Sequence, residues 1–146
     1  MNKLLTEFSA ILQSTPKRLV DIADADAEQK PGPGRWSKKE ILGHLIDSVS
    51  NNHQRLVRAQ FAARTEFPAY EQEAWVATQA YGAESWPDLV NLWLLYNRHL
   101  LHLLRHFPEK ALQHEVSIGG KTPATVAFVA EDYLRHMNHH LSQILG

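Results

Sequence analysis

The chain has 146 residues, of which 44% are apolar, enough for one sizeable core, so we predict a single domain over residues 1–146. Its 15 basic and 16 acidic side chains give a formal net charge of −1, which argues against nucleic acid or an anionic membrane surface as a partner. The absence of cysteine excludes disulfides and thiolate ligands, and no apolar run is long enough to span a membrane, so we predict a cytoplasmic protein.

Apolar residues near the N-terminus recur at three- and four-residue intervals from Leu4 to Leu12, which predicts an amphipathic helix. Pro16 is predicted to interrupt this helix, because proline lacks a backbone donor and is best tolerated in a first turn. We therefore predict a second helical piece through Ile22, kinked or stacked on the first. The stretch EQKPGPGR, residues 28–35, is predicted to be a loop.

A capping box predicts the start of the second long helix. Ser37 and Glu40 stand three residues apart, so each side chain can satisfy a free backbone donor of the other residue. The helix is expected to run to about Ala63. Its apolar stripe consists of Ile41, Leu42, Leu45, Ile46, Val49, Leu56 and Val57.

A long crossover is predicted to follow the second helix. Residues 67–82, FPAYEQEAWVATQAYG, carry Pro68 and Gly82 near their edges. Because these residues punctuate regular structure, the segment predicts a short helical or irregular piece around Trp75. We expect it to lie on the surface of the domain.

Two further amphipathic helices are predicted in the rest of the chain. A cap at Ser85 begins a third long helix that ends at Pro108. Residues 115–121, EVSIGGK, predict an extended or turn segment. Thr122 as the N-cap and Pro123 at the first helical position then predict the start of the last helix, which continues almost to the C-terminus.

The order of these elements predicts the fold class. Four long amphipathic helices, with no alternation of strands and helices and no repeat, predict an all-α fold. The simplest arrangement is an antiparallel four-helix bundle with a long crossover between the second and third helices. Metal sites in such bundles are built from side chains on facing helices.

Nine histidines in so short a chain point toward metal chemistry. His136 and His140 lie four residues apart, so both rings stand on one face of the last helix and can converge on one ion. Such a pair is also typical of two partly exposed surface histidines. His44, early in the second helix and beside its apolar stripe, could supply a third imidazole. Alternatively, His44 packs against a loop or donates to a carbonyl group.

Three imidazoles on one ion would leave coordination positions open for water or substrate, as in catalytic rather than structural sites. His99, His102 and His106 share one edge of the third helix but cannot all bind one ion. The outer two are about 10 Å apart along the axis, whereas nitrogens on one ion lie within roughly 4 Å of each other. We interpret them as solvated or packing residues. The same interpretation applies to His53, His114 and His139.

Charged and polar residues near the three candidate ligands are secondary site candidates. Asp47 follows His44 by about one turn, and Asp132 precedes the C-terminal pair by one turn. Either carboxylate could hold a ligand ring, although both could equally be ordinary surface groups. Asn51 and Arg55 continue the same line of the second helix and could orient a substrate or bind its negative groups.

Several short motifs occur in a fixed order from about Gly34 onward. They are Trp36-Ser37, Glu40, His44-Leu45, Asp47-Ser48, FPAY, EAW, Tyr96-Asn97, and His136 followed by His139-His140-Leu141 and Gln143. In their order and separation they resemble the DinB-like superfamily, specifically its YfiT-type branch of metal-dependent hydrolases and thiol S-transferases.

The resemblance implies a four-helix bundle, often dimeric, whose three metal ligands correspond to His44, His136 and His140. It also implies a divalent ion, since zinc, nickel and iron occur across the family. Some members are similar to transferases that use a low-molecular-weight thiol to modify electrophiles. No residue of this chain can be matched to a family residue that recognises a particular thiol or acceptor. The resemblance therefore does not imply a specific substrate.

Three functional hypotheses follow. The first is a metal-dependent transferase or hydrolase, in which the ion lowers the pKa of a thiol or water and presents the anion as a nucleophile to a small-molecule substrate. The second is a non-catalytic metal- or ligand-binding bundle in a stress response. The third is an interaction bundle whose histidines are incidental. Independently of these hypotheses, a homodimer is possible, because the apolar stripes could serve a core or a partner equally well.

Overall fold

Four long helices dominate the computed structural model, which describes residues 1–146. Two short helices, two 3₁₀ turns and three short strands connect them. The helices are α1 (Asn2–Val20), α2 (Asp24–Glu28), α3 (Lys38–Arg58), α4 (Gln72–Thr78), α5 (Trp86–Arg105) and α6 (Val126–Leu145). The prediction of a four-helix bundle with a long crossover between its second and third long helices is confirmed. No helix combines the length and apolar character that crossing a membrane requires.

The long helices α1, α5, α3 and α6 form a closed ring in which each contacts its two neighbours. The indole Nε1 of Trp86, at the start of α5, donates to the carbonyl of Leu19, at the end of α1, so these helices are antiparallel. The starts of α3 and α5 are instead adjacent, because Asp24 accepts from both Lys39 Nζ and the Trp86 backbone. The long crossover makes this parallel pair possible, since it returns the chain to the same end of the bundle.

The interior of the ring is the hydrophobic core. Phe8, Trp86 and Trp93 are among its fully buried side chains. The Phe8 ring meets the Tyr133 ring edge-on with 6.1 Å between centroids, which joins α1 to α6. Apolar stripes at helical spacing therefore face inward on all four long helices, as their periodicity predicts.

The N-terminal helix continues through Pro16 as one helix, so the predicted interruption into two helical pieces is wrong. Proline costs α1 one backbone hydrogen bond, to the carbonyl four residues earlier. Burial of Leu12 before it and Leu19 after it keeps both halves on the same core surface. The loop predicted at residues 28–35 is confirmed except at Glu28, the last residue of the short helix α2 (Asp24–Glu28).

The capping box at the start of α3 is confirmed. Ser37 Oγ accepts from the Glu40 backbone N–H at 3.2 Å, and Glu40 Oε1 accepts from the Ser37 N–H at 3.1 Å. The helix ends at Arg58 and not near Ala63. A turn follows, and the chain then leaves as a strand that the helical periodicity did not predict.

A small three-stranded sheet closes one side of the bundle. Strand β1 (Arg64–Phe67) pairs in parallel with β2 (Glu115–Ile118), which pairs antiparallel with β3 (Ala124–Thr125). The extended segment predicted at residues 115–121 is confirmed as β2 and its following turn. The last helix begins later than predicted, with Thr125 as its N-cap in place of Thr122, because pairing with β2 keeps residues 124–125 extended.

The crossover between α3 and α5 is anchored on α3. It contains α4 around Trp75, as predicted, and then a 3₁₀ turn at Tyr81–Ala83. A Cβ atom at Gly43 would overlap the Tyr81 ring, so glycine at this position lets the ring lie against the α3 backbone. The hydroxyl of Tyr81 donates to Asp47 Oδ1 at 2.7 Å.

Candidate metal centre

Three imidazoles converge between α3 and α6. His44 Nε2 and His136 Nε2 are 3.1 Å apart, and ring nitrogens of His44, His136 and His140 all lie within 4.8 Å of one another. The ring centroids of His136 and His140 are 4.5 Å apart, and those of His44 and His140 are 4.8 Å apart. The structure therefore brings together the three histidines that the sequence singled out.

Local structure on both helices positions these rings. The capped first turn of α3 precedes His44, whose side chain is 1% exposed, and the Trp36 ring lies over it with 5.1 Å between centroids. On α6, His136 and His140 stand one turn apart. The Nδ1–H of His140 donates to Gln143 Oε1 at 2.8 Å, which leaves its Nε2 unprotonated and free to act as a ligand.

Burial keeps the three rings neutral. It lowers the pKa of His44 to about 4, and the nearby His136 and His140 rings lower it further as like charges. Burial likewise lowers the pKa of His136 to about 4, with His140 acting in the same direction. The pKa of His140 is lowered by burial too, although its bond to Gln143 opposes the shift. Neutral imidazole is the form that binds a metal ion.

The residues present fit a divalent ion. Nitrogens bound at about 2.1 Å to one ion lie about 3 to 4 Å apart, a spacing these side chains meet or reach by small rotations. The buried Nδ1 of His44 has no hydrogen-bond partner, and the Nε2 of the same ring makes its only polar contact with the Nε2 of His136. With no cysteine in the chain, three nitrogens suit zinc, nickel, copper or iron.

A cavity of about 480 Å³ adjoins the His44 and His136 side of the cluster. Its walls come from α3, the crossover, α6 and the segment from β2 to β3, and include Ser48, Tyr70 and Tyr133. A second cavity, of about 710 Å³, adjoins His140 and lies near the N-terminal part of α3. The histidine cluster is therefore accessible from two separate spaces.

The structure assigns different surroundings to the two candidate carboxylates. Asp47 accepts from the Tyr81 hydroxyl and from Gln79 Nε2, each at 2.7 Å, and burial raises its pKa. It ties the crossover to α3 and makes no hydrogen bond to His44. Asp132 borders the first cavity beside the cluster and forms an ion pair with Arg135.

Asn51 and Arg55 also differ in their surroundings. Asn51 Nδ2 donates to the backbone carbonyl of Asp47 at 2.8 Å, which commits its amide group to its own helix. Arg55 borders the first cavity and is 8% exposed. Its guanidinium carbon lies 5.9 Å from the centroid of the Tyr70 ring.

The remaining histidines lie outside the cluster. His53 Nδ1 is 2.9 Å from the Tyr96 hydroxyl, and its ring stacks edge-on against His99. His106 Nδ1–H donates to the His102 carbonyl, and His114 Nδ1–H donates to the carbonyl of Ala59. No second group of three histidine or carboxylate ligands is close enough to share an ion.

Two residues near the site were not predicted to have a role there. Gln143 belongs to the C-terminal motif, and its three-residue spacing from His140 is a helical signal that identifies it as a partner of that ring. Tyr70 belongs to the crossover motif FPAY, but no spacing relates it to α3. Its position opposite Arg55 depends on the path of the crossover.

Comparison with known proteins gives both a family and a fold. The sequence profile of the DinB superfamily matches residues 7–144. No curated protein sequence matches the chain. The structure is similar to YfiT from Bacillus subtilis, described as "a probable metal-dependent hydrolase with an unusual four-helix bundle topology". The TM-score is 0.79 with 18% identity, over 98% of this chain and 82% of YfiT.

The structure is also similar to a mycothiol-dependent maleylpyruvate isomerase. The TM-score is 0.79 with 16% identity, over 98% of this chain and 60% of the isomerase. At these identities the two likenesses establish the shared bundle fold, whereas substrate and reaction are decided by the individual sites.

Proposed function

The chain belongs to the DinB superfamily, and from that membership and the histidine cluster we propose that it is a metal-dependent enzyme acting on a small molecule. The reaction is thiol S-transfer or hydrolysis. One observation carries the proposal: imidazoles from α3 and α6, 92 residues apart in sequence, meet with their nitrogens 3.1 Å apart in a site that opens onto a cavity.

The proposed ligands are His44, His136 and His140, and the proposed ion is zinc, nickel or iron. When bound, such an ion lowers the pKa of a thiol or water and so supplies a nucleophile at neutral pH. Gln143 fixes the tautomer of His140 by accepting from its Nδ1–H. Trp36 covers the His44 ring and shields it from water.

The two cavities favour S-transfer over hydrolysis. A transferase must hold a thiol and an electrophile at once, whereas a hydrolase needs room for one organic substrate and water. The first cavity reaches the cluster beside His44 and His136, and the second reaches it beside His140. Similarity to a mycothiol-dependent isomerase supports the use of a thiol, whereas the equally similar YfiT is described as a probable hydrolase. A net charge of −1 favours a small molecule over nucleic acid as the partner.

Elemental analysis of the protein purified without an affinity column tests the proposal. We expect about one equivalent of a divalent ion per chain and turnover with a low-molecular-weight thiol and an aryl halide. His140→Ala is expected to lose both the ion and at least about 100-fold of the activity, because it removes a ligand. His139→Ala is the matched control, since this neighbouring histidine is exposed and outside the cluster.

The outcomes separate the three functional classes. A bound ion without turnover for any thiol, thioester or ester would favour a non-catalytic metal-binding bundle. A protein that takes up no ion, even when zinc or nickel is added in excess, would favour an interaction bundle. Equal metal content in His140→Ala and His139→Ala would contradict the proposed ligand set.

A further inference from the structure

We propose that Arg55 binds a carboxylate group of the substrate in the cavity beside His44 and His136. The inference rests on the proposed function for the identity of the substrate site. Binding of a carboxylate can nevertheless be measured without turnover, so the two proposals can fail separately.

Arg55 is a largely buried cation without a counter-charge. The residue is 8% exposed, yet its side chain forms no ion pair and no hydrogen bond with another residue. Its nitrogens are not among the side-chain atoms that are cut off from solvent, and Arg55 borders the cavity, so its donors are accessible to a ligand there. Burying an ion without a partner is costly, and buried arginines are normally matched by a carboxylate. Burial lowers the pKa of Arg55, but a guanidinium remains protonated in proteins. Its charge is therefore available to a ligand.

The Tyr70 ring lies beside the guanidinium of Arg55. The guanidinium carbon lies 5.9 Å from the centroid of the Tyr70 ring, and both residues border the cavity. Burial raises the pKa of Tyr70, so its phenol stays neutral and contributes a ring face without a negative charge. Contact with an aromatic face restrains the guanidinium and leaves the N–H donors at its edge unsatisfied.

A carboxylate is the anion that best matches Arg55. The planar fork of an arginine matches the two oxygens of a carboxylate, and one cation balances one negative charge. The carboxylate of Asp132 borders the same cavity, although Arg135 pairs with it. Lys121 also borders the cavity but is exposed. Solvent and salt therefore screen its charge, and it attracts a buried anion only weakly. A phosphate dianion would exceed the single positive charge at the Arg55 end of the cavity, so a carboxylate is the better match there.

The position of Arg55 along α3 also limits the shape of the substrate. It follows His44 by three helical turns, a rise of about 16 Å, part of which its side chain spans by leaning toward the helix N-terminus. Ser48 and Asn52 form a polar part of the cavity wall between His44 and Arg55. The carboxylate therefore lies at the end of the substrate away from the reacting atom.

Binding of benzoate and benzamide to the purified protein tests the inference. The two molecules have nearly the same shape and differ in charge, and calorimetric titration gives both affinities. Benzoate is expected to bind about tenfold more tightly or better, because its hydrogen bonds to a guanidinium are charge-assisted. Arg55→Met should reduce the ratio to about one. Arg58→Met is the matched control, since Arg58 lies on the same helix but is exposed.

Two further variants separate the contribution of Arg55 from that of the proposed ion. Arg55→Lys keeps the charge without the fork and should retain only part of the preference, which provides a second variant if Arg55→Met does not fold. His140→Ala should keep the preference for benzoate, because Arg55 and not the ion provides it. Metal content measured on each variant shows separately whether the proposed function holds.

Three results would overturn the inference. One is equal affinity of the unsubstituted protein for benzoate and benzamide. Another is a benzoate preference that survives Arg55→Met, especially if it disappears in His140→Ala, because the anion would then bind at the histidine cluster. The third is inorganic phosphate binding more tightly than benzoate in an Arg55-dependent manner.

Discussion

At the scale of single residues, burial decides the chemistry of the imidazoles. His44 is 1% exposed, and the loss of hydration disfavours its charged form. The two neighbouring rings act in the same direction, because a proton on any one of them repels a proton on the others. His139, which is exposed and one residue from His140, lies outside the cluster. Histidines that are close in sequence thus differ in burial and in the groups that surround them.

The lowered pKa values predict that acid destabilises the metal-free protein. His44 and His136 have pKa values of about 4 when folded and about 6.5 when unfolded. Between these values the unfolded chain binds more protons, so the free energy of unfolding falls as the pH is lowered. This contribution is fully present above about pH 6.5 and is lost as the pH falls through about 4.

Urea denaturation in the presence of a chelator at pH 7, 6 and 5 measures the effect. Asp47 and Asp24 also titrate with shifted pKa values, so the comparison between variants isolates the histidines. His136→Gln should show a shallower loss of stability with falling pH than His139→Ala. Identical slopes for the two variants would contradict the assigned protonation states.

At the scale of elements, α3 is the helix that organises the site. Its start is held by the capping box and by Lys39, whose Nζ donates to Asp24 Oδ1 at 2.7 Å. Its middle is held by Tyr81 of the crossover, which lies on Gly43 and donates to Asp47. Helix α3 thus carries His44 on one face and the crossover on another, so the crossover stabilises the helix that presents this proposed ligand.

We predict that Ser37→Ala lowers the free energy of unfolding by about 1 kcal/mol or more. The substitution removes the acceptor for the Glu40 N–H and leaves a buried donor unsatisfied at the start of α3. Ser85→Ala is the comparison, because Ser85 caps α5 through a longer bond of 3.4 Å and has no reciprocal glutamate. Chemical denaturation of both variants checks the order, and a larger loss for Ser85→Ala would contradict it.

At the scale of the whole molecule, the bundle makes one site from distant parts of the chain. His44 and His136 belong to helices separated by the crossover, α5 and the small sheet. Because α3 and α6 run in opposite directions, the early part of α3 faces the late part of α6. The same pairing leaves the first cavity beside the cluster. Any ion bound there links two helices of the folded state.

We therefore predict that a divalent ion raises the Tm of the protein. An ion that binds only the folded chain, at a hundredfold excess over its Kd, adds about 2.7 kcal/mol, or roughly 8 °C for a domain of this size. Calorimetry with zinc and with a chelator measures the shift. His140→Ala should lose most of it, and His139→Ala should retain it. The same Tm with zinc and with chelator would contradict the proposed site.

Much of the architecture could be predicted from local patterns. The four long helices, the capping box at Ser37 and the helical piece around Trp75 follow from periodicity and from capping chemistry that acts over three or four residues. The errors lie where distant contacts override local preference. Pro16 stays within α1 because the core holds both halves, and pairing with β2 delays the start of α6 to Val126. Strand β1 has four residues and no local signal that distinguishes it from a loop.

The candidate site also combines features that local patterns predict with features that depend on tertiary contacts. Local pattern is enough to identify the HxxxH pair of His136 and His140 and to place His44 beside an apolar stripe, because helical geometry acts over neighbouring turns. The meeting of these rings, the hydrogen bond of Asp47 to the crossover, and the burial of Arg55 beside a cavity without a counter-charge become evident only in the assembled bundle. Burial and the approach of distant helices depend on how the faces pack together, and no single segment of the chain specifies that packing.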